Sequence, residues 1–164
     1  MSKRIMFTVP RLISKLHNKT QFDCGDTNLN IFLEKYALQN DKNYSSKTYV
    51  STDKKTKNII GYYTLAYGSV SHAEATEEVK KNMPKYPIPV MILARLAVDK
   101  SYKSKGIGVG LLKDAISRTM QASEIAGLRA IIAHAKDEKA KSFYLHHGFK
   151  ASCLDTYHMM LLIK

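Results

Sequence analysis

The chain has 164 residues, 45% of them apolar, enough for one compact core and leaving little room for a second domain, so a single domain over 1–164 is expected. Lysine and arginine number 26 against 14 aspartates and glutamates, a formal charge of +12, which points to a polyanionic partner: nucleic acid, an acidic protein or a phosphorylated small molecule. No apolar run reaches membrane-spanning length, and the cysteines, Cys24 and Cys153, lack C-x-x-C spacing, so the pattern argues against a membrane segment, a zinc site or a redox motif. Residues 1–11 hold too short an apolar stretch for a secretory leader, and a reduced, cytoplasmic setting follows as the expectation.

In chain order, residues 27–40 carry Leu29, Phe32, Leu33, Tyr36 and Ala37 at helical spacing behind Asp26 or Thr27 as N-cap, which predicts an amphipathic helix. Residues 46–52 and 59–70 are rich in β-branched and aromatic side chains around the polar tract 53–58 and read as a hairpin. After Pro84, Pro87 and Pro89, residues 90–98 form a nearly continuous apolar run, expected of a central strand covered on both faces. A loop over 99–106 leads into a helix over about 107–125 with Leu111, Leu112, Ala115, Ile116, Thr119 and Met120 on one stripe, closed by Gly127 as a left-handed cap. A buried strand over 130–134, a helix over 137–147 ended by Gly148 and a strand over 157–163 complete an α/β (α+β) pattern.

The loop between the central strand and the long helix carries the most chemistry. Gly106, Gly108 and Gly110 let backbone come close to a ligand, the helix start leaves N–H groups unpaired, and its dipole favours an anion. Lys100, Lys103 and Lys105 add positive charge. The spacing is neither G-x-x-x-x-G-K-[ST] nor a dinucleotide fingerprint with its acidic ribose ligand. Glycines here also suit tight strand–helix packing, and the loop by itself leaves both readings open. Tyr144 is similarly two-sided: with Ala140, Phe143 and His147 it lies on one helix face, as either a packing residue or an acid.

Lys103-x-x-Gly106-x-Gly108 before a helix, followed by Ala140-x-x-Phe143-Tyr144-x-x-x-Gly148-Phe149, resembles the two signature stretches of the GCN5-related N-acetyltransferases (GNAT). Phe22-Asp23-Cys24-Gly25, the Leu29-x-x-Phe32-Leu33 helix, Thr48-Tyr49-Val50, Gly61-Tyr62-Tyr63-Thr64-Leu65, residues 93–99 and His134-Ala135 are similar to the acetyltransferase toxins of bacterial type II toxin–antitoxin modules. The resemblance implies a central mixed, twisted sheet flanked by helices, with a pyrophosphate loop between the central strand and the next helix. It also implies acetyl-coenzyme A as donor, the α-amino group of aminoacyl-tRNA as acceptor, no metal, and a ribbon-helix-helix antitoxin as partner; a homodimer is compatible with it.

By the same resemblance, the backbone of Lys103, Ser104, Lys105, Gly106, Ile107, Gly108, Val109 and Gly110 would hold the pyrophosphate. Leu96, Ala97 and Val98 would face the pantetheine arm, and Tyr144 would protonate the departing sulfur. Strand 90–98 offers no Asp, Glu or His as a base. An α-amino group, with a pKa of about 7.7–8.0, needs less base assistance than a lysine at about 10.4, which favours an α-amine acceptor. His134 is either a proton relay or a structural histidine. Arg95, the one charge in the apolar strand, either meets RNA phosphate or forms an internal salt bridge. Lys42 and Lys47, with Lys54, Lys55, Lys57, Lys80 and Lys81, are candidates to track an RNA backbone or simply to be solvated. The competing readings are an acetyltransferase acting on a protein N-terminus or small-molecule amine, and a non-catalytic basic module that binds nucleic acid or a partner.

Overall fold

A computed structural model describes residues 6–164; the first five residues of the stretch read as lacking a leader lie outside the described residues. In chain order the elements are β1 (Arg11–Leu12), α1 (Thr27–Ile31), a π-helical turn (Phe32–Tyr36), α2 (Ala37–Lys42), β2 (Lys47–Thr52), β3 (Ile59–Val70) and α3 (Glu77–Lys80). They continue with β4 (Ile88–Val98), a 3-10 turn (Lys100–Tyr102), α4 (Ile107–Ser123), β5 (Ala130–His134), α5 (Glu138–His146), β6 (Lys150–Ala151) and β7 (His158–Leu162). The strands hydrogen-bond in the order β1-β2-β3-β4-β5-β7-β6. The β4–β5 pair is parallel and the β1–β2, β2–β3, β5–β7 and β6–β7 pairs are antiparallel, giving the mixed sheet expected. The chain divides into two compact units, one running to Leu65 and resuming over Arg95–Ala115, the other formed by Ala66–Ala94 and Ile116–Lys164.

In the first unit the Asp26 carboxylate accepts from the amides of Asn28 and Leu29 and so starts α1. The helix then widens: the Ala37 amide reaches back five residues to the Phe32 carbonyl. That wider turn corrects the expected stripe. Leu33 and Ala37 are fully buried while Tyr36 is 53% exposed, rotated off the apolar face by the extra residue. Phe22 and Phe32 pack on the buried Tyr62 ring at 5.5 and 6.3 Å, and the Tyr62 hydroxyl donates to the Leu29 carbonyl at 2.7 Å. These residues, with Ile13, Cys24, Val50, Ile59 and Ala97, form this unit's core. β2 and β3 pair as the predicted hairpin, turned by the Asp53 carboxylate accepting from the Lys55 and Thr56 amides.

In the second unit Val90–Leu93 of β4 lie in register with Ala130–Ala133 of β5, and Val70, Ala75, Val79, Ile88, Ala130, Ile132 and Met160 close the core around them. The cover expected along the whole central strand holds only this far. The ladder with β5 ends at Leu93, Ala94 is exposed, and Arg95, Leu96 and Val98 are half-buried. Arg129 donates to the carbonyls of Glu78, Val79 and Lys81, terminating α3. α4 ends at Ser123, whose hydroxyl caps the Met120 carbonyl. Gly127 is not in the left-handed region, contrary to expectation, because the chain leaves the helix through a turn at Glu124–Ala126. Gly148 is left-handed, at φ +91°, and stops α5 as expected.

Candidate acetyl-donor site

The loop after β4 is built from backbone. Buried Asp99 N-caps the 3-10 turn through the Ser101 amide at 2.8 Å, and its own amide donates to the Ile60 carbonyl at 2.8 Å. The chain then turns through two left-handed residues, Ser104 at φ +65° and Gly106 at φ +78°. Ser104 is the feature that sequence reading could not supply, since a non-glycine residue rarely takes this conformation. The first intrahelical bond of α4 runs from the Gly110 amide to the Gly106 carbonyl at 3.0 Å. The amides of Ile107, Gly108 and Val109 precede it and sit at the positive end of a 17-residue helix.

The glycines leave that end open. A Cβ at Gly106 or Gly110 would meet nothing within 4 Å, and one at Gly108 would meet only a Val98 methyl at 3.7 Å. Packing of helix on strand therefore does not require them. Gly61 of β3, by contrast, is tightly packed, with Leu111, Ile107 and the Ala97 carbonyl 3.0–3.3 Å from its would-be Cβ. A positively polarised run of backbone with open space at Gly106 and Gly110 fits a diphosphate.

The loop lysines are less available than the sequence suggests. Lys100 pairs with Asp23 at 2.9 Å, Lys103 donates to the Cys24 carbonyl at 3.3 Å, and Lys105 lies 5.4 Å from the Tyr102 ring centre. Each of these contacts engages one side of an ammonium with three donors, so their charge stays near the loop beside the amides at the start of α4. Leu96, Ala97 and Val98 occupy the half-covered end of β4.

Tyr144 lies on α5, in the second unit. Its residue is 8% exposed, with the ring against Phe143 at 5.4 Å and Phe149 at 5.2 Å. Burial pushes its phenol up to about 12, so the group stays protonated throughout the neutral range. Tyr62 and Tyr63 spend their hydroxyls on the Leu29 carbonyl and the Asp114 carboxylate. The geometry of α5 is set by Asp137, whose carboxylate accepts the Ala140 amide at 2.8 Å.

The remaining candidates separate. The Arg95 guanidinium stacks on Phe32, its Cζ 3.6 Å from the ring centre, so an aromatic face stands where the sequence offered a salt bridge. Lys42 is exposed in the last turn of α2. Lys47 is held by Asp41 at 3.4 Å and lies 4.5 Å from the Tyr44 ring centre. His134 is in register with His158, their rings 5.9 Å apart. Cys24 is buried and Cys153 exposed. Among the described residues no three His, Cys, Asp or Glu side chains are grouped to hold a metal, and no helix is long and apolar enough to cross a membrane.

A mixed sheet with a glycine-rich loop between its central strand and a long helix is the fold of an acetyltransferase: residues 45–151 match the acetyltransferase (GNAT) domain, and the chain belongs to that family. The chain is 42% identical over 158 residues to the tRNA-acetylating toxin of Mycobacterium tuberculosis, covering 96% of this chain and 93% of that one. It is 24% identical over 142 residues to the probable toxin TacT of Sinorhizobium fredii, covering 82% and 78%. Among solved structures it resembles a KacT mutant in which tyrosine is replaced by phenylalanine, at a TM-score of 0.90 and 26% identity over 97% of this chain and 96% of that one. It also resembles AtaT complexed with acetyl-methionyl-tRNA, at a TM-score of 0.87 and 25% identity over 95% and 94%.

Proposed function

We propose that the chain is a toxin that transfers acetyl from acetyl-coenzyme A to the α-amino group of an aminoacyl-tRNA, blocking translation until an antitoxin binds it. The observation that carries this reading is the 42% identity, over 96% of the chain, to a tRNA-acetylating toxin. The chain acts as one acetyltransferase domain over residues 1–164. Its setting is the cytoplasm and its inhibitor is a ribbon-helix-helix antitoxin; a homodimer is compatible with the same reading.

Acetyl-coenzyme A supplies an activated acetyl thioester when bound. Backbone amides of Lys103–Gly110 hold the diphosphate, for which the open glycines and the first amides of α4 are suited. Backbone groups of Leu96, Ala97 and Val98, beyond the end of the β5 ladder, align the pantetheine arm and polarise the acetyl carbonyl. Tyr144 holds a proton at neutral pH and donates it to the sulfur as the bond to carbon breaks; the proton the amine sheds as it becomes an amide passes to solvent, from which Tyr144 is reprotonated. The attacking α-amine is substantially neutral near pH 8, so it needs no strong base from β4. Arg95, presented on Phe32, meets acceptor phosphate, with Lys42 and Lys47 beside the RNA.

The test incubates the full chain with radiolabelled acetyl-coenzyme A, total charged tRNA, peptides and polyamines. Label on aminoacyl-tRNA is expected. Label confined to peptides or polyamines would overturn the acceptor assignment, and coenzyme A binding with no transfer to any of them would favour the non-catalytic module.

A further inference from the structure

The motif Phe22-Asp23-Cys24-Gly25 precedes α1 and is remote in sequence from the loop after β4, yet the two segments are joined at four points. The Asp23 amide donates to the Asp99 carboxylate at 3.0 Å, and the Lys100 amide donates to the Asp23 carbonyl at 2.9 Å. The Lys100 ammonium pairs with the Asp23 carboxylate at 2.9 Å, and the Lys103 ammonium reaches the Cys24 carbonyl at 3.3 Å. The motif is in turn fixed to α1: the Asp23 carboxylate accepts from the Gly25 amide and from the Asn30 side chain at 2.9 and 3.0 Å, and the Asn30 oxygen accepts the Cys24 amide at 3.0 Å. Lys100 above all, then the Gly25 amide and Asn30, hold the Asp23 carboxyl down to about 2, so it is charged at any working pH.

We propose that Asp23 and Asp99 form a brace that positions the loop for the donor's diphosphate, making both of them positioning residues for acetyl-coenzyme A. The inference rests on the acetyltransferase reading only for the identity of the donor. The loop has a reason to need a brace: Ser104 is held in a left-handed conformation that a non-glycine residue keeps only where neighbouring structure over-determines it. The diphosphate is expected to bind backbone amides, whose directions are set by the path of the chain rather than by flexible side chains. Four cross-links at Asp99–Lys103 fix that path immediately before the left-handed turn. Both residues act on the loop from behind and touch no reacting atom.

The test compares two acetyl donors, acetyl-coenzyme A and acetyl-pantetheine, which lacks the diphosphate, together with direct titration of coenzyme A onto the full chain. Asp23→Ala and Asp99→Asn should each weaken coenzyme A binding about tenfold, the scale of one hydrogen bond to a charged group. They should raise KM for acetyl-coenzyme A while leaving kcat within about twofold, and leave kcat/KM for acetyl-pantetheine unchanged. Asp23→Asn, which keeps acceptors for Gly25 and Asn30, should recover part of the loss. Equal loss with both donors, or unchanged coenzyme A affinity, would overturn the brace and leave it a purely structural link. Should Asp23→Ala fail to fold, Asp23→Asn and Asp99→Asn carry the same comparison. The titration needs no acceptor, so it answers for the brace even if aminoacyl-tRNA proves not to be acetylated.

Discussion

Tyr144 combines burial, a raised phenol and two flanking aromatic rings, the setting of a group kept protonated. Replacing it with Phe removes one oxygen and little volume. Tyr144→Phe should therefore lower kcat by about 10²–10⁴-fold with coenzyme A affinity, measured by titration, unaffected. The same raised phenol fixes the sign of the pH dependence. As pH falls through about 7.7–8.0 the acceptor amine gains a proton and kcat/KM should fall with it; above that range Tyr144, pushed up to about 12, stays protonated. A profile from about pH 6 to 10 should rise to a plateau; a descending limb in that range that persists in Tyr144→Phe would belong to another group, and unchanged turnover in Tyr144→Phe would contradict the assigned acid. At this scale the sequence was informative about residues whose role follows local spacing, such as the N-cap Asp26 and the helix-ending Gly148. It was silent about Ser104 and about the ring of Phe32 under Arg95, to which it offered RNA phosphate or a salt bridge, because stacking partners distant in sequence leave no local signature.

Among the elements, the contrast between glycines separates folding from binding. Gly108 has room for a Cβ and lies in the first turn of α4. Gly108→Ala should hold or raise thermal stability, by up to about 1 kcal/mol from helix propensity, while weakening coenzyme A binding in titration. Gly68 is the opposite case, since a Cβ there would overlap the Ile92 side chain. Gly68→Ala should cost about 1–3 kcal/mol in chemical denaturation, and Ile92→Ala in the same chain should recover part of it by removing the overlapping atoms. Long elements with a clear period, the β2–β3 hairpin, β4, α4, β5 and α5, were legible from pattern. The two-residue strands β1 and β6 and the four-residue α3 were not, because so few residues carry no period. The π turn after α1 was hidden for a different reason: a strict helical stripe is blind to one inserted residue, and Tyr36 moved to solvent as a result.

For the whole molecule, the charge of +12 predicts a difference between the two substrates. Lysines that meet an RNA backbone release counterions on binding, so KM for aminoacyl-tRNA should climb steeply between about 50 and 200 mM salt, whereas KM for acetyl-coenzyme A, on the proposal that backbone amides hold it, should change far less. Equal salt sensitivity in initial-rate measurements would remove the RNA role from the lysine surface. The division of the chain into units bears on how such a protein is made. β3, β4 and α4 each begin in one unit and end in the other, and the first unit's core includes Ala97. That core cannot close until well over half the chain has been synthesised, and the residues that close it run directly into the glycine loop. A nascent chain therefore gains the glycine loop only in the act of completing its first core, so translation products that stop short of it are expected to show no acetyl transfer to charged tRNA.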